Sequence, residues 1–202
     1  MLKRKKDNNF NRAIANHRGV TLLELMVAVS LFTITILIAS SIFKMVLDGQ
    51  RQAIASQSMQ ENIRYFYEKI DKEIRMAQKN VDCAGAEVGK VYTVGNQNVF
   101  GIGDSLIFKN YHGDCIKYFL EDGRLKISDQ APGAIFAKED FMTPATLIIS
   151  DLKFSAINND KTDPTKEIQA RVTLKMHAEI NVRNGSTQKM DIQTTIASRF
   201  YD

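Results

Sequence analysis

Residues 17–47 read HRGVTLLELMVAVSLFTITILIASSIFKMVL, and the uncharged run inside them, Leu25 to Phe43, decides the architecture. At about 1.5 Å of rise per residue these nineteen residues span roughly 28 Å as a helix, close to the hydrocarbon thickness of a bilayer. Val27, Val29, Thr33, Ile34, Thr35 and Ile36 are β-branched and weaken a helix in water. In lipid the helix still wins, because every backbone N–H and C=O must be paired within the segment. Ahead of the run, residues 1–19 carry Lys3, Arg4, Lys5, Lys6, Arg12 and Arg18 against Asp7 alone, a balance of +5. The whole chain is +4, so the other 21 basic and 22 acidic residues sum to −1. The basicity belongs to the tail. It places the N-terminus on the cytoplasmic side and the body outside, and it offers no basic surface on the body for nucleic acid.

Composition narrows the class further. Hydrophobic residues make up 44% and charged residues 25%, which excludes a disordered chain. With no Trp, three Pro and two Cys in 202 residues, collagen-like, Pro-rich and disulfide-dense scaffolds are excluded as well. A removable secretory signal has a shorter apolar stretch, of about 7–15 residues, and a small-residue cleavage site; Ala39-Ser40-Ser41 is a poor substitute for one. Glu24 is the unusual residue, a carboxylate one position before the uncharged run. It can sit among headgroups or benefit from the helix N-terminus, but drawn unpaired into lipid it costs a few kcal/mol.

The run His17-Arg18-Gly19-Val20-Thr21-Leu22-Leu23-Glu24-Leu25-Met26-Val27 resembles the processing site of type IV prepilins and of type II secretion pseudopilins. The resemblance is strong over residues 17–47 and only architectural beyond. It implies cleavage by prepilin peptidase between Gly19 and Val20, N-methylation of Val20, and retention of the apolar helix as membrane anchor and filament core. It also implies a role for Glu24: cleavage creates a cationic amine at the membrane edge, and a neighbouring subunit's carboxylate can neutralise it and set axial register. Major pilins of the family usually carry Pro where this chain has Ser41, and often Gly where it has Thr33. Those departures, with the large β-rich body, look most like a minor J-type pseudopilin or a related minor pilin. The implied partners are prepilin peptidase, other pilins through the helix, an inner-membrane assembly platform and the bilayer.

Past Lys44 the period changes instead of stopping. Ile54, Met59, Ile63, Phe66, Tyr67, Ile70, Ile74 and Ala77 recur at helical spacing, one apolar face of a continued helix with Gly49 as its weak point. Beyond Asn80, β-rich runs appear at Val91–Val94, Ser105–Lys109, Cys115–Leu120, Leu125–Ser128 and Leu147–Ile157. Asp122-Gly123 reads as a tight hairpin turn. Val172, Leu174, Met176, Ala178, Ile180 and Val182 alternate with polar neighbours, and Asn184-Gly185 turns them into a final strand. The expected fold is therefore α+β and pilin-like: a long N-terminal helix on an antiparallel sheet. Its expected segments are a leader at 1–19, a membrane helix at 20–47, an amphipathic continuation at 48–79 and a β-rich body at 80–202.

Cys83 and Cys115 most simply form a disulfide outside the membrane, closing a loop worth about 3–4 kcal/mol. A metal site from Cys83, His112, Asp114 and Cys115, or two free thiols, are the alternatives; the spacing matches no standard zinc motif. His17, His112 and His177 fall in no nucleophile motif, so no catalytic residue and no enzyme activity is expected. Gly101-Ile102-Gly103 lacks what a dinucleotide fold needs. The stretch from Asn158 resembles the start of a calcium loop, but Asp163 and Gln169 stand where Gly and Glu are required. No cofactor or metal is expected. The reading is a minor pilin or pseudopilin, against a major, adhesive or DNA-uptake pilin and against an uncleaved, signal-anchored periplasmic binding protein.

Overall fold

The computed structural model describes residues 19–132, 134, 137–158, 169–182 and 185–199. The basic N-terminal stretch with His17 and Arg18, most of the calcium-like loop, and Asn184 lie outside the described residues. The chain divides into two units, residues 1–47 and 48–202. A single helix, α1 (Leu22–Arg75), supplies the described helical part of both. Gly49 does not interrupt it; a Cβ there would meet nothing within 4 Å.

In the second unit α1 buries Met59, Ile63, Phe66, Ile70 and Ile74, a three-and-four spacing that keeps one stripe on the β body. Ile54, expected on this stripe, is 67% exposed: it stands five residues before Met59 and so points away from the buried face, whereas Ala55, four before Met59, packs on the core. At roughly 2 kcal/mol per buried side chain, the five residues contribute on the order of 10 kcal/mol before chain entropy. The helix ends on partners from elsewhere in the chain. Tyr92 Oη donates to the Ile74 carbonyl at 2.6 Å, and Arg199 N–H donates to the Arg75 carbonyl at 2.8 Å. The Ile74 carbonyl also accepts from the Ala77 N–H at 3.2 Å, so the last turn is closed both locally and from the body.

Among the described residues, nine strands form two antiparallel sheets. The first runs in the order β1 (Tyr92–Gly95), β3 (Ser105–Lys109), β4 (Cys115–Glu121), β5 (Arg124–Gln130) and β6 (Lys138–Phe141). The second runs β2 (Ile102–Gly103), β7 (Leu147–Ile157), β8 (Arg171–Asn181) and β9 (Thr187–Ala197). The architecture is the expected α+β, pilin-like one, with the β layer divided in two. β2 and β6 carry too little apolar pattern to be read from sequence; β6 is exposed throughout. Asp122 (φ +51°) and Gly123 (φ +67°) make the β4–β5 turn, both left-handed as a type I′ turn requires.

Two features join the sheets. The Ile149 N–H of β7 donates to the Gly123 carbonyl at 2.7 Å. Gly103 of β2 lies so close to β1 that a Cβ would stand 2.0 Å from the Gly95 carbonyl oxygen. Only a residue without a side chain fits there. β7 also carries a bulge between Ile149 and Asp151. It shifts the alternation, so that Leu147 and Ile149 before it, and Leu152 and Phe154 after it, all reach the core.

Candidate functional site

The first described residues, Gly19 and Val20, are exposed and precede the helix; a Cβ on Gly19 would meet nothing within 4 Å. The peptide bond between them is thus in irregular, accessible backbone. Helix α1 opens one residue past Thr21. The Glu24 N–H donates to Thr21 Oγ1 at 3.3 Å and the Leu25 N–H donates to the Thr21 carbonyl at 3.1 Å. Thr21 is therefore the N-cap and Glu24 stands at the third helical position, the spacing of a capping box. The cap holds the Glu24 carboxylate in the first turn, where the helix dipole favours it. Thr21 was missed as a cap, although Thr-x-x-Glu ahead of an apolar run is its sequence signature.

From Leu22 to Val46 every Leu, Ile, Val, Met and Phe is at least 47% exposed. The helix contains a window of mean hydropathy 2.4, none of it buried, so it is long and apolar enough to cross a membrane. Three of its hydroxyls are paired within the helix. Ser30, Thr33 and Thr35 donate to the carbonyls of Met26, Val29 and Leu31 at 2.8, 2.7 and 2.8 Å, so these three need no partner outside it.

Cys83 and Cys115 are joined in a disulfide with their Cα atoms 5.5 Å apart. Both sulfurs of the metal alternative are therefore consumed. Asp114 is held by Asn110, whose Nδ2 donates to Oδ2 at 3.1 Å, and the His112 ring lies against Tyr111. Asn158, the first position of the calcium-like stretch, is committed to β1: its Oδ1 accepts from Val91 and Tyr92 N–H at 3.1 and 2.8 Å, and its Nδ2 donates to the Tyr92 carbonyl at 2.8 Å.

His177 on β8 lies between two carboxylates, with Nδ1 2.5 Å from Asp191 and Nε2 3.0 Å from Glu179. Lys189 also pairs with Glu179, at 3.0 Å. The hydrogen bond to Asp191 first, then that to Glu179, raises the imidazole pKa above its ordinary value. This is a cross-strand charge ladder. Inside the body, burial pushes the carboxyl of Glu73 up, opposed by the hydroxyl it accepts from Tyr118. The bond ties α1 to β4.

Among families, the one described as the prokaryotic N-terminal methylation motif matches residues 14–40. The match covers the cap, Glu24 and most of the bare apolar segment Leu22–Val46, and it supports a subunit of the pilin and pseudopilin type. Comparison with curated proteins and with solved structures returns no match.

Proposed function

We propose that the chain is the precursor of a pilin-type or pseudopilin-type filament subunit. The observation that carries this reading is one coincidence: the methylation motif at 14–40 runs into a helix that is capped at Thr21, exposed along its apolar side chains to Val46, and whose later turns pack in the core of a β body. In this reading prepilin peptidase cuts between Gly19 and Val20 and methylates Val20. Residues 20–47 hold the chain in the cytoplasmic membrane with residues 1–19 inside, the helix continues from 48 to 75, short of the 79 expected from sequence, and 80–202 form the body outside. Assembly then proceeds through the helix, with other pilins and an inner-membrane platform as partners. The role is structural, and no reaction is assigned to the chain.

Glu24 is the registry residue. A carboxylate in the first turn, entering a low-dielectric helix bundle, pairs with the new amine of Val20 on a neighbour far more strongly than it could at a surface. The finer placement is a minor subunit of the J type, primed for the filament tip. Ser41 and Thr33 support it, since a helix without Pro or Gly there has no reason to melt, and α1 is helical at both positions.

The test is the intact mass and N-terminal sequence of membrane-extracted protein, with and without prepilin peptidase. A chain beginning at N-methylated Val20 only when the peptidase is present is the expected result. An uncut chain, or a cut beyond Phe43, overturns the reading in favour of an anchored or secreted β domain. Glu24→Gln should leave insertion and cleavage intact but lose co-purification with partner pilins.

A further inference from the structure

Two acidic residues stand where the packing pattern asks for apolar ones. On α1, Glu73 follows Phe66 by seven residues and Ile70 by three, which puts it on the face that those two bury. On β5, Leu125, Ile127 and Asp129 share one parity; the first two are core residues and the third is a carboxylate. The β4–β5 register sets Ile127 opposite Tyr118 and Asp129 opposite Ile116, so Asp129 lies one same-face pair along from the tyrosine whose hydroxyl donates to Glu73. That tyrosine is fixed: it is fully buried, stacked on Phe108 and edge-on to Phe66. Glu73 and Asp129 are each half-buried, and among the described residues no salt bridge reaches either carboxyl. Lys69, one turn before Glu73, instead places Nζ 3.7 Å from Met142 Sδ.

We infer that this seam is a proton-operated latch: with Glu73 or Asp129 protonated the last turns of α1 are clamped to the first sheet, and with both charged they loosen. Two like charges on packed, facing surfaces repel, and burial withholds the water that would screen them. A protonated Glu73 still offers its carbonyl oxygen to Tyr118, so the bond between α1 and β4 survives the change. Burial raises the Glu73 pKa above its ordinary value, against the Tyr118 hydroxyl and Lys69; the Asp129 charge raises it further, and Lys72 opposes. Burial likewise raises Asp129, with Asp114 adding to it and Lys69, Lys138 and His112 opposing. Because both are raised, the tightening is complete below the ordinary carboxylate range and is lost as pH rises through the folded values. External acidity then sets how firmly the helix end is held. The latch lies wholly within residues 48–202, so it is independent of processing and assembly.

The experiment follows amide hydrogen exchange of residues 70–75 in the full chain in mild detergent, at about pH 4.5 and about pH 7.5. Protection is taken relative to unstructured peptide at each pH, so the ordinary pH dependence of exchange cancels. Wild type is expected to lose roughly threefold or more of its protection at the higher pH. Glu73→Gln keeps an acceptor for Tyr118 without the charge, so it should hold the acid level of protection at both pH values. Asp129→Asn should shrink the loss. Equal wild-type protection at the two pH values overturns the inference. So does a Glu73→Gln chain that keeps the wild-type response, or one less protected than wild type at the higher pH, since Glu73 would then be an ordinary stabilising carboxylate. An unchanged near-ultraviolet spectrum checks that Glu73→Gln folds; if it does not, Asp129→Asn decides alone, and an undiminished loss in that chain overturns the latch.

Discussion

Removing the Phe66 side chain tests the helix-to-body packing most directly. Phe66 is fully buried, with its ring 5.6 Å from Tyr67 and 6.3 Å from Tyr118, the latter edge-on. Phe66→Ala takes away that apolar area and leaves a cavity between α1 and the first sheet, worth about 3–5 kcal/mol. Part of the loss comes from the edge-on ring pairing, about 0.5–1.5 kcal/mol. For a body of this size each kcal/mol moves the midpoint by about 2–4 °C, so a fall of about 6–20 °C is expected. The control is Ile54→Ala, twelve residues earlier, off the buried face and 67% exposed, which should stay within about 0.5 kcal/mol of wild type. Thermal unfolding of the full chain in detergent, followed by near-ultraviolet dichroism of its six tyrosines, reads both variants. If Phe66→Ala costs under about 1 kcal/mol, or Ile54→Ala costs as much as Phe66→Ala, the assignment of the buried face is wrong.

Three further outcomes are expected. Gly103→Ala should cost about 1–3 kcal/mol in denaturant unfolding, because its Cβ would stand 2.0 Å from the Gly95 carbonyl, whereas Gly49→Ala in open helix should gain up to about 1 kcal/mol. The Cys83→Ser/Cys115→Ser chain should lose about 3–4 kcal/mol through its freed loop of 32 residues, and reductant should then have no further effect on it. His177 has a folded pKa raised above the ordinary 6.5, so its stabilising contribution is complete below 6.5 and lost as pH rises through the folded value. His177→Gln should flatten the stability profile across that window; an unchanged profile would show that the Asp191 pairing contributes nothing.

Much of the fold was legible because the chain announces it locally. The uncharged run, the helical stripe through Ile74 and the alternation from Val172 to Ile180 each follow from a side-chain period that burial imposes on one element at a time. The Asp122-Gly123 turn was legible for the same reason: its backbone demands those residue types. β2 and β6 were not, since two exposed or half-exposed short strands exist only because a neighbour offers backbone partners. At the N-terminus, the cap by Thr21 was written in the sequence and went unread.

By itself, then, the sequence determined a capped apolar helix behind a basic N-terminal stretch and a β-rich chain after it, because hydropathy, charge and turn chemistry are properties of neighbours along the chain. Tertiary structure decided what depends on residues far apart. It set how far the buried face runs: Ala55 and Met59 pack on the body, while Ile54, five residues before Met59, faces solvent. It split the strands into two sheets, joined where Gly103 passes beneath Gly95 and Ile149 reaches Gly123. It brought Cys83 to Cys115, closing the choice among disulfide, metal site and free thiols. And it spent Asn158 on the backbone of β1, since a buried strand end must find its hydrogen bonds wherever the fold supplies them.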